Sequence, residues 1–190
     1  KARLGETLSL VWRYLQRRFP SFEIIVVDDG SGDGTSAVVE HFAREHVGVR
    51  LIAYSPNQGK GCAVRTGVLE SRGALVLFSD ADLSTPIEEL EKLMAALDKG
   101  ADVAVASRAM AKSELVVRQP RYRELGGRAL NKIVQMAAVP GIRDTQCGFK
   151  LFRREAALSI FERCSEDGFS FDIEALYLAR RLGRRVVEVP

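Results

Sequence analysis

Residues 74–86, ALVLFSDADLSTP, decide the fold class of this chain. The run Ala74–Ser79 is short and apolar almost throughout, which is typical of a strand buried on both faces of a parallel sheet. Two aspartates, Asp80 and Asp82, follow this run directly. The stretch therefore predicts a buried strand that ends in a turn rich in carboxylates.

A helix is predicted directly after this turn. Thr85 as N-cap, Pro86 at the first helical position and Glu88 three residues after Thr85 form the pattern of a capping box. Apolar residues then recur at helical spacing, and they predict one buried face made of Ile87, Leu90, Met94 and Leu97.

The same order of strand and helix recurs along the chain. Further strands are predicted at 22–27, 49–54, 102–107, 148–153 and 186–189. Helices are predicted at 4–18, at 36–46, from the end of the 55–61 turn to about 71, at 123–138, at 155–161 and around 175–182. This alternation with short connections predicts an α/β fold, a single doubly wound, mostly parallel sheet flanked by helices. The 190 residues contain no internal repeat or linker, so we expect one domain.

The composition excludes several classes of protein. With 46% hydrophobic residues the chain is not disordered, and a net charge of +3 with interleaved signs does not indicate a nucleic-acid binder. Three scattered cysteines without a CxxC pair predict reduced thiols, not a disulfide scaffold or a zinc site. Because only two histidines are present, carboxylates are the expected catalytic groups. No apolar run approaches the roughly 18 residues of a membrane span.

A second acidic cluster follows the strand predicted at 22–27. Asp28 and Asp29 begin the turn DDGSGDGT, and ligands of doubly wound sheets bind beyond the carboxyl ends of the strands. We therefore expect this pair and the Asp80/Asp82 pair to converge on one crevice. Asp28 and Asp29 could accept hydrogen bonds from a nucleobase and a ribose. The alternative, a plain turn with a helix cap, explains Asp33 well and the double acid poorly.

The Asp80-x-Asp82 pair indicates a divalent cation, because carboxylate oxygens are preferred ligands of such ions and their mutual repulsion is relieved by one. The alternative is that Asp82 merely ends a strand and begins a helix. The turn 57–61, NQGKG, leaves two interpretations equally open. The helix N-terminus and Lys60 could bind a phosphate, or the turn could simply cap the helix.

The basic side chains follow the strand predicted at 102–107. Several arginines suited to bidentate phosphate binding occur in one irregular stretch and suggest a diphosphate and a second phosphate: Arg108, Arg118, Arg121, Arg123 and Arg128. Asp144 is a candidate acid near the acceptor, or else a partner of Arg143. Asp172 begins the last helix, where the helix dipole suffices to explain it.

The motifs VVDDGSGDGT, NQGKGCAVRTG, FSDADLSTP, ASR and GIRDTQCGFKLFRREAA together resemble those of inverting family-2 glycosyltransferases of the GT-A fold, from about Phe22 to Pro190. The block RDTQCGFK resembles the polyprenyl-phosphate branch of that family, dolichyl-phosphate glucosyltransferases somewhat more than dolichyl-phosphate mannose synthases. The resemblance implies a nucleotide-sugar donor, Mg²⁺ or Mn²⁺, and a polyprenyl or dolichyl phosphate acceptor at a membrane surface, without nucleic acid.

The resemblance also implies roles for individual residues. Asp80 and Asp82 would bind the metal, and Asp144 would lie beside the reacting centre as a third catalytic acid. The substrate-binding residues would be Asp28 and Asp29 for the nucleoside, Lys60 near it, and Arg108 and Arg123 for the diphosphate or the acceptor phosphate.

Members of the family begin with a strand that precedes the first strand predicted here, and they continue beyond Val-Glu-Val-Pro. The resemblance therefore implies that residues 1–190 are the catalytic domain without these two pieces. It places the protein on the cytoplasmic face of a membrane, either peripherally or through anchors outside this chain. By resemblance, the expected activity is transfer of glucose from UDP-glucose. The alternatives are a mannosyltransferase that uses GDP-mannose and an inactive nucleotide-sugar-binding module.

Overall fold

A computed structural model describes residues 2–107 and 139–190. The helices are α1 (Ala2–Arg18), α2 (Thr35–Glu45), α3 (Lys60–Glu70), α4 (Leu90–Asp98), α5 (Arg154–Phe161) and α6 (Phe171–Arg181). The strands are β1 (Ile24–Asp29), β2 (Val49–Tyr54), β3 (Leu75–Ser79), β4 (Val103–Ala106), β5 (Phe149–Arg153) and β6 (Val186–Val189). The helix predicted at 123–138 lies outside the described residues.

The strands form two hydrogen-bonded sheets in the described part of the chain. β1 and β2 pair in parallel, and the second sheet has the order β3-β5-β4-β6. β5 is antiparallel to β3 and β4, whereas β4 and β6 are parallel. The predicted α/β class is confirmed, but two sheets replace the predicted single sheet and one of them is mixed. An apolar run predicts a buried strand without fixing its direction or its neighbours, which explains the difference.

The larger hydrophobic core lies between the four-stranded sheet and the helices α4, α5 and α6. Its fully buried side chains include Phe149, Phe152, Phe161, Leu93 and Leu176. A smaller cluster of Leu8, Val39, Phe42 and Val49 joins α1 and α2 to the two-stranded sheet. α1 also packs on the larger core, so this helix connects the two clusters. An apolar cavity of about 600 Å³ lies between the sheets, lined by β1, β3 and α1.

The helix after β3 begins later than predicted. A short 3₁₀ turn over Ile87–Glu89 precedes α4, and neither carries a capping hydrogen bond from a side chain, so the capping box is wrong. The cause is Pro86, whose extended ψ of 143° keeps Thr85 outside the first turn. The predicted buried face is confirmed in its main part, since Ile87, Leu90 and Leu97 are buried. Leu93 is buried beside them, and Met94 only partly.

Candidate functional site

The acidic ends of β1 and β3 meet at the N-terminus of α3. The Asp29 carboxylate accepts hydrogen bonds from the backbone N–H of Gln58 at 2.7 Å and of Gly59 at 2.8 Å. One residue further, the Lys60 ammonium lies 2.8 Å from Asp80 Oδ1. The structure thus brings the two acidic clusters to one helix terminus, as expected when strand ends share an edge.

Asp28 and Asp29 both belong to β1, where they pair with Ala53 and Tyr54 of β2. The predicted strand ended two residues too early, because the pattern of apolar residues does not reveal that the ladder continues through charged ones. The Asp29 carboxylate, predicted to hold a nucleoside, holds the 57–59 turn in this structure, and Asn57 donates to the Asp29 carbonyl at 2.9 Å.

Asp28 is 4% exposed and organises the turn before α2. Its carboxylate accepts hydrogen bonds from the Ser31 backbone N–H, at 2.8 Å, and from the Ser36 hydroxyl. Burial alone would raise the pKa of Asp28, but the bonds from Ser36 and Ser31 outweigh it and hold that pKa below its usual range. In the same turn Asp33 Oδ1 accepts from the backbone and hydroxyl of Thr35, as the turn interpretation expects.

The N-terminus of α3 is capped by another part of the protein. The backbone N–H groups of Gly61 and Cys62 donate to the Asp167 carbonyl at 2.7 and 3.3 Å. A Cβ on Gly61 would lie 2.2 Å from the Glu166 carbonyl oxygen, so only glycine allows this approach. Of the two interpretations of the NQGKG turn, the backbone geometry supports capping. The Lys60 side chain remains as the positive group that faces the acids.

Lys60 lies among aromatic rings. Its Nζ is 5.5 Å from the centroid of the Phe78 ring, 5.9 Å from that of Phe169 and 6.0 Å from that of Phe171. The side chains of Lys60 and Asp80 are 30% and 32% exposed, so a ligand can reach both. Phe169 is 76% exposed and lies at the same opening.

The turn that carries the second acid is strained. The Leu83 N–H donates to the Asp80 carbonyl at 3.1 Å, and Leu83 has a φ of +48°, which is unfavourable for this residue type. Asp82 Oδ1 accepts from the Ser84 hydroxyl at 2.7 Å and from its backbone N–H at 3.0 Å. The Ser84 hydroxyl is the main cause that lowers the pKa of Asp82, so its carboxylate is anionic at neutral pH. Strain of this kind is typical of functional turns.

The carboxylates of Asp80 and Asp82 are suitable ligands for a divalent metal ion whose remaining ligands come from a bound phosphate compound. In the described residues, no group of three or more His, Cys, Asp or Glu side chains could hold a metal ion. Two accessible carboxylates offer hard oxygen ligands only. Mg²⁺ and related ions are commonly bound by one or two carboxylates together with substrate phosphates.

Three residues beneath Asp80 were missed by the sequence analysis or assigned only a minor role. The Gly148 carbonyl accepts the Asp80 N–H at 3.0 Å, and a Cβ on Gly148 would lie 1.8 Å from Asp80 Oδ2. Lys150, 1% exposed in β5, forms an ion pair with Asp172. Burial raises the pKa of Asp172, and Lys150 opposes this effect. The helix dipole therefore explains Asp172 only in part. A lysine inside the apolar run FKLF was the available signal.

Asp144 is 5% exposed. Its backbone N–H and that of Arg143 both donate to Glu188 Oε1 at 2.9 Å, which ties this turn to β6. The predicted phosphate-binding residues Arg108 and Arg123 lie outside the described residues, as do Arg118, Arg121 and Arg128.

The fold and the site define an α/β domain with acidic side chains at the carboxyl ends of its strands, and sequence comparison gives the family. The model of the family described as "Glycosyl transferase family 2" matches residues 1–161, so the chain belongs to glycosyl transferase family 2.

Individual proteins of this family are also similar to the chain. The chain is 41% identical to a dolichyl-phosphate beta-glucosyltransferase of Trichomonas vaginalis, over 98% of this chain and 57% of that protein. It is 39% identical to the human dolichyl-phosphate beta-glucosyltransferase, over 92% of this chain and 57% of the human protein. The chain therefore spans somewhat more than half the length of these relatives.

Solved structures confirm the fold. Glucosyl-3-phosphoglycerate synthase from Mycobacterium tuberculosis, crystallised with Mn²⁺, UDP-glucose and phosphoglyceric acid, superposes with a TM-score of 0.70 at 21% identity, over 98% of this chain and 64% of that one. A Pyrobaculum calidifontis mannosyltransferase with GDP-mannose and Mn²⁺ gives 0.63 at 20% identity, over 100% of this chain and 51% of that one. In the described part of this chain, no helix is both long and apolar enough to cross a membrane.

Proposed function

We propose that the protein containing this chain transfers glucose from UDP-glucose to a dolichyl or related polyprenyl phosphate, with inversion at the anomeric carbon. The observation that carries the proposal is the ion pair of Lys60 with Asp80 at an accessible edge, with Asp82 in the same turn and within the electrostatic influence of Lys60. The chain that carries this site is 41% identical to a dolichyl-phosphate beta-glucosyltransferase. A cluster with both signs of charge suits a metal-bound diphosphate better than it suits a neutral ligand.

The donor site uses carboxylates for the metal and cations for the phosphates. Asp80 and Asp82 would hold Mg²⁺ or Mn²⁺, which when bound offsets the negative charge that develops on the leaving diphosphate. Lys60 supplies a further positive charge at the same place. Arg108 and Arg123 are proposed to bind the diphosphate or the acceptor phosphate.

The nucleoside is assigned to the end of β1. Since Asp28 is buried and both of its oxygens bind serines, its role for the nucleoside is to shape the turn. Asp29, which is half-buried at the surface of this turn, is the acid of the pair that a nucleoside can contact by displacing a backbone donor.

The acceptor phosphate attacks the anomeric carbon from the face opposite the nucleoside diphosphate. One phosphate oxygen forms the new bond to this carbon, and the electron pair of the broken bond leaves with the diphosphate. A phosphate is already ionised at neutral pH, so the site needs no strong general base, and it can act mainly by stabilising charge. Asp144 is proposed to lie beside the reacting centre, where its backbone is fixed by Glu188.

Because the acceptor is a lipid phosphate, we place the reaction at a membrane surface, and the resemblance to the family assigns it to the cytoplasmic face. Binding of the full protein to vesicles with and without a polyprenyl phosphate tests the association with a membrane surface. The proposal predicts cosedimentation that increases with the lipid phosphate, and no cosedimentation with either vesicle would contradict it.

A donor panel tests the reaction. The full protein is incubated with Mn²⁺, a short-chain polyprenyl phosphate and either UDP-glucose or GDP-mannose, and the lipid product is measured by mass spectrometry. We expect glucosyl lipid from UDP-glucose and no product from GDP-mannose. Mannosyl lipid alone would identify the mannosyltransferase, and UDP binding without product from either donor would identify an inactive binding module.

A pair of variants tests the carboxylate chemistry in the same assay. Asp80→Asn should abolish product formation with the fold intact, because the metal loses a charged ligand. Asp98→Asn, an equal charge change at an exposed position at the end of α4, is the matched control and should retain activity. Retained turnover in Asp80→Asn would contradict the metal role.

A further inference from the structure

A buried ion pair lies directly behind the proposed metal site. The side chains of Lys150 and Asp172 are 2% and 4% exposed, and they bind each other. Transferring two charges into a protein interior is costly, and apolar residues of similar volume often stabilise a core as well or better. Stability alone is therefore a weak explanation for this pair.

One end of the pair fixes the backbone under Asp80. The Lys150 ammonium also donates to the Cys147 carbonyl at 2.6 Å, which orients the peptide between Cys147 and Gly148. The carbonyl of Gly148 in turn accepts the Asp80 N–H at 3.0 Å. The Asp80 carboxylate rests on Gly148 so closely that a methyl group there would overlap it, with 1.8 Å between Cβ and Oδ2. Lys150 therefore holds the residue that directly precedes the glycine on which Asp80 rests.

The other end of the pair lies next to the aromatic rings of Phe78 and Phe171, which line the site near Lys60. Asp172 is the second residue of α6, directly after Phe171, whose ring contacts the Phe78 ring edge-to-face at 5.6 Å. Phe78 lies two residues before Asp80 in β3, opposite Lys150 of β5. The Phe78 ring centroid is 5.7 Å from the Lys150 ammonium and 5.5 Å from that of Lys60.

We propose that Lys150 and Asp172 are positioning residues, which hold the Asp80 carboxylate in the orientation that binds the metal of the nucleotide-sugar donor. The two side chains act through Cys147, Gly148 and Phe78 and do not touch the substrate. This inference rests on the proposed function, since it assigns the metal to Asp80.

The test separates positioning from folding by removing the charges singly and together. The variants of the full protein are Lys150→Met, Asp172→Leu and the double variant. Thermal denaturation reports folding, and the Mn²⁺ concentration at half-maximal UDP binding, measured by calorimetry, reports the orientation of Asp80. Each single variant should lower the melting temperature by about 10 °C, because one charge is left buried without its partner.

The double variant gives the deciding result. Its melting temperature should return to within a few degrees of the wild-type value, whereas its Mn²⁺ midpoint should stay at least about tenfold higher. A wild-type midpoint in this variant would overturn the inference and leave the proposed function standing. A wild-type protein without metal-linked UDP binding would refute the proposed function, and the inference with it.

Asp172→Asn covers the case in which the double variant does not fold. The amide keeps the size of the carboxylate and an oxygen that can accept from Lys150, and it removes the charge. We expect a folded protein with a Mn²⁺ midpoint raised at least about threefold, and Lys150→Arg, which keeps the charge and the donors, should remain nearer to wild type. A folded Asp172→Asn protein with an unchanged midpoint would overturn the inference.

Discussion

Replacement of Lys60 by methionine should change the binding of the metal and of the nucleotide in opposite directions. The Lys60 ammonium lies 2.8 Å from Asp80 Oδ1, so it neutralises the carboxylate that is proposed to bind Mn²⁺. In the proposed donor complex the same ammonium would stabilise the diphosphate. Methionine keeps an apolar side chain of similar length near the rings of Phe78 and Phe171 and removes the charge.

The magnitudes follow from the exposure of the pair. Both side chains are about one-third exposed, so the ion pair contributes about 1 kcal/mol, and its loss should strengthen Mn²⁺ binding about fivefold. Loss of a charge-assisted hydrogen bond to the diphosphate costs about 1.5–3 kcal/mol. UDP binding at saturating Mn²⁺ should therefore weaken about 10- to 150-fold.

The assay has two titrations. Binding of Mn²⁺ alone is followed by electron paramagnetic resonance of the free ion, and binding of UDP at saturating Mn²⁺ by calorimetry. Lys92→Met is the matched control, because Lys92 in α4 forms a solvent-accessible ion pair at 2.6 Å with Glu89 of the preceding 3₁₀ turn. It should leave both affinities unchanged. If Lys60→Met weakens both affinities, or changes neither, the assignment of Lys60 between metal and diphosphate is refuted.

Three further predictions concern Gly148, Leu93 and Cys164. Gly148→Ala should weaken Mn²⁺-dependent UDP binding at least about tenfold because its Cβ would displace the Asp80 carboxylate, and wild-type binding in calorimetry would contradict this contact. Leu93→Ala, at a position 1% exposed, should cost about 2–5 kcal/mol of unfolding free energy in urea, whereas Leu10→Ala, at 58% exposure, should cost less than about 0.5; equal losses would refute the packing. Burial raises the pKa of Cys164 from about 9 to about 12, so the native thiol should resist iodoacetamide at pH 8.5, and rapid native labelling would argue against it. As the pH rises, the thiol of Cys164 loses its proton in the unfolded chain before it does so in the folded protein. The free energy of unfolding should therefore fall between about pH 9 and about pH 12.

Much of the local structure follows from short-range patterns. The strands 49–54 and 186–189 are found at the predicted bounds, because an apolar run between turn residues reports burial without reference to the rest of the chain. The meeting of Asp29 and Asp80 at one helix terminus also follows from the sequence order, since successive strand ends lead to one edge of an α/β fold.

The capping box failed for a reason that is also local but lies outside the pattern. The motif Thr85-Pro86-x-Glu88 fits a helix start, yet the extended ψ of Pro86 places a 3₁₀ turn before α4. In this turn it is the Ser84 hydroxyl that forms a side-chain hydrogen bond, which it donates to the Asp82 carboxylate. A residue pattern records which caps are possible and not which one the backbone adopts.

What the sequence by itself determined is the α/β class, most of the helices and strands, and the acids Asp80 and Asp82 as candidate metal ligands. Only the tertiary structure decided the direction of β5, the capping of α3 by the Asp167 carbonyl, and the buried pair of Lys150 and Asp172. Burial periodicity is a property of neighbouring residues, so it can be recognised in the sequence. The contact between Gly61 and Asp167 joins residues more than a hundred positions apart, and such contacts are fixed by packing of the whole chain.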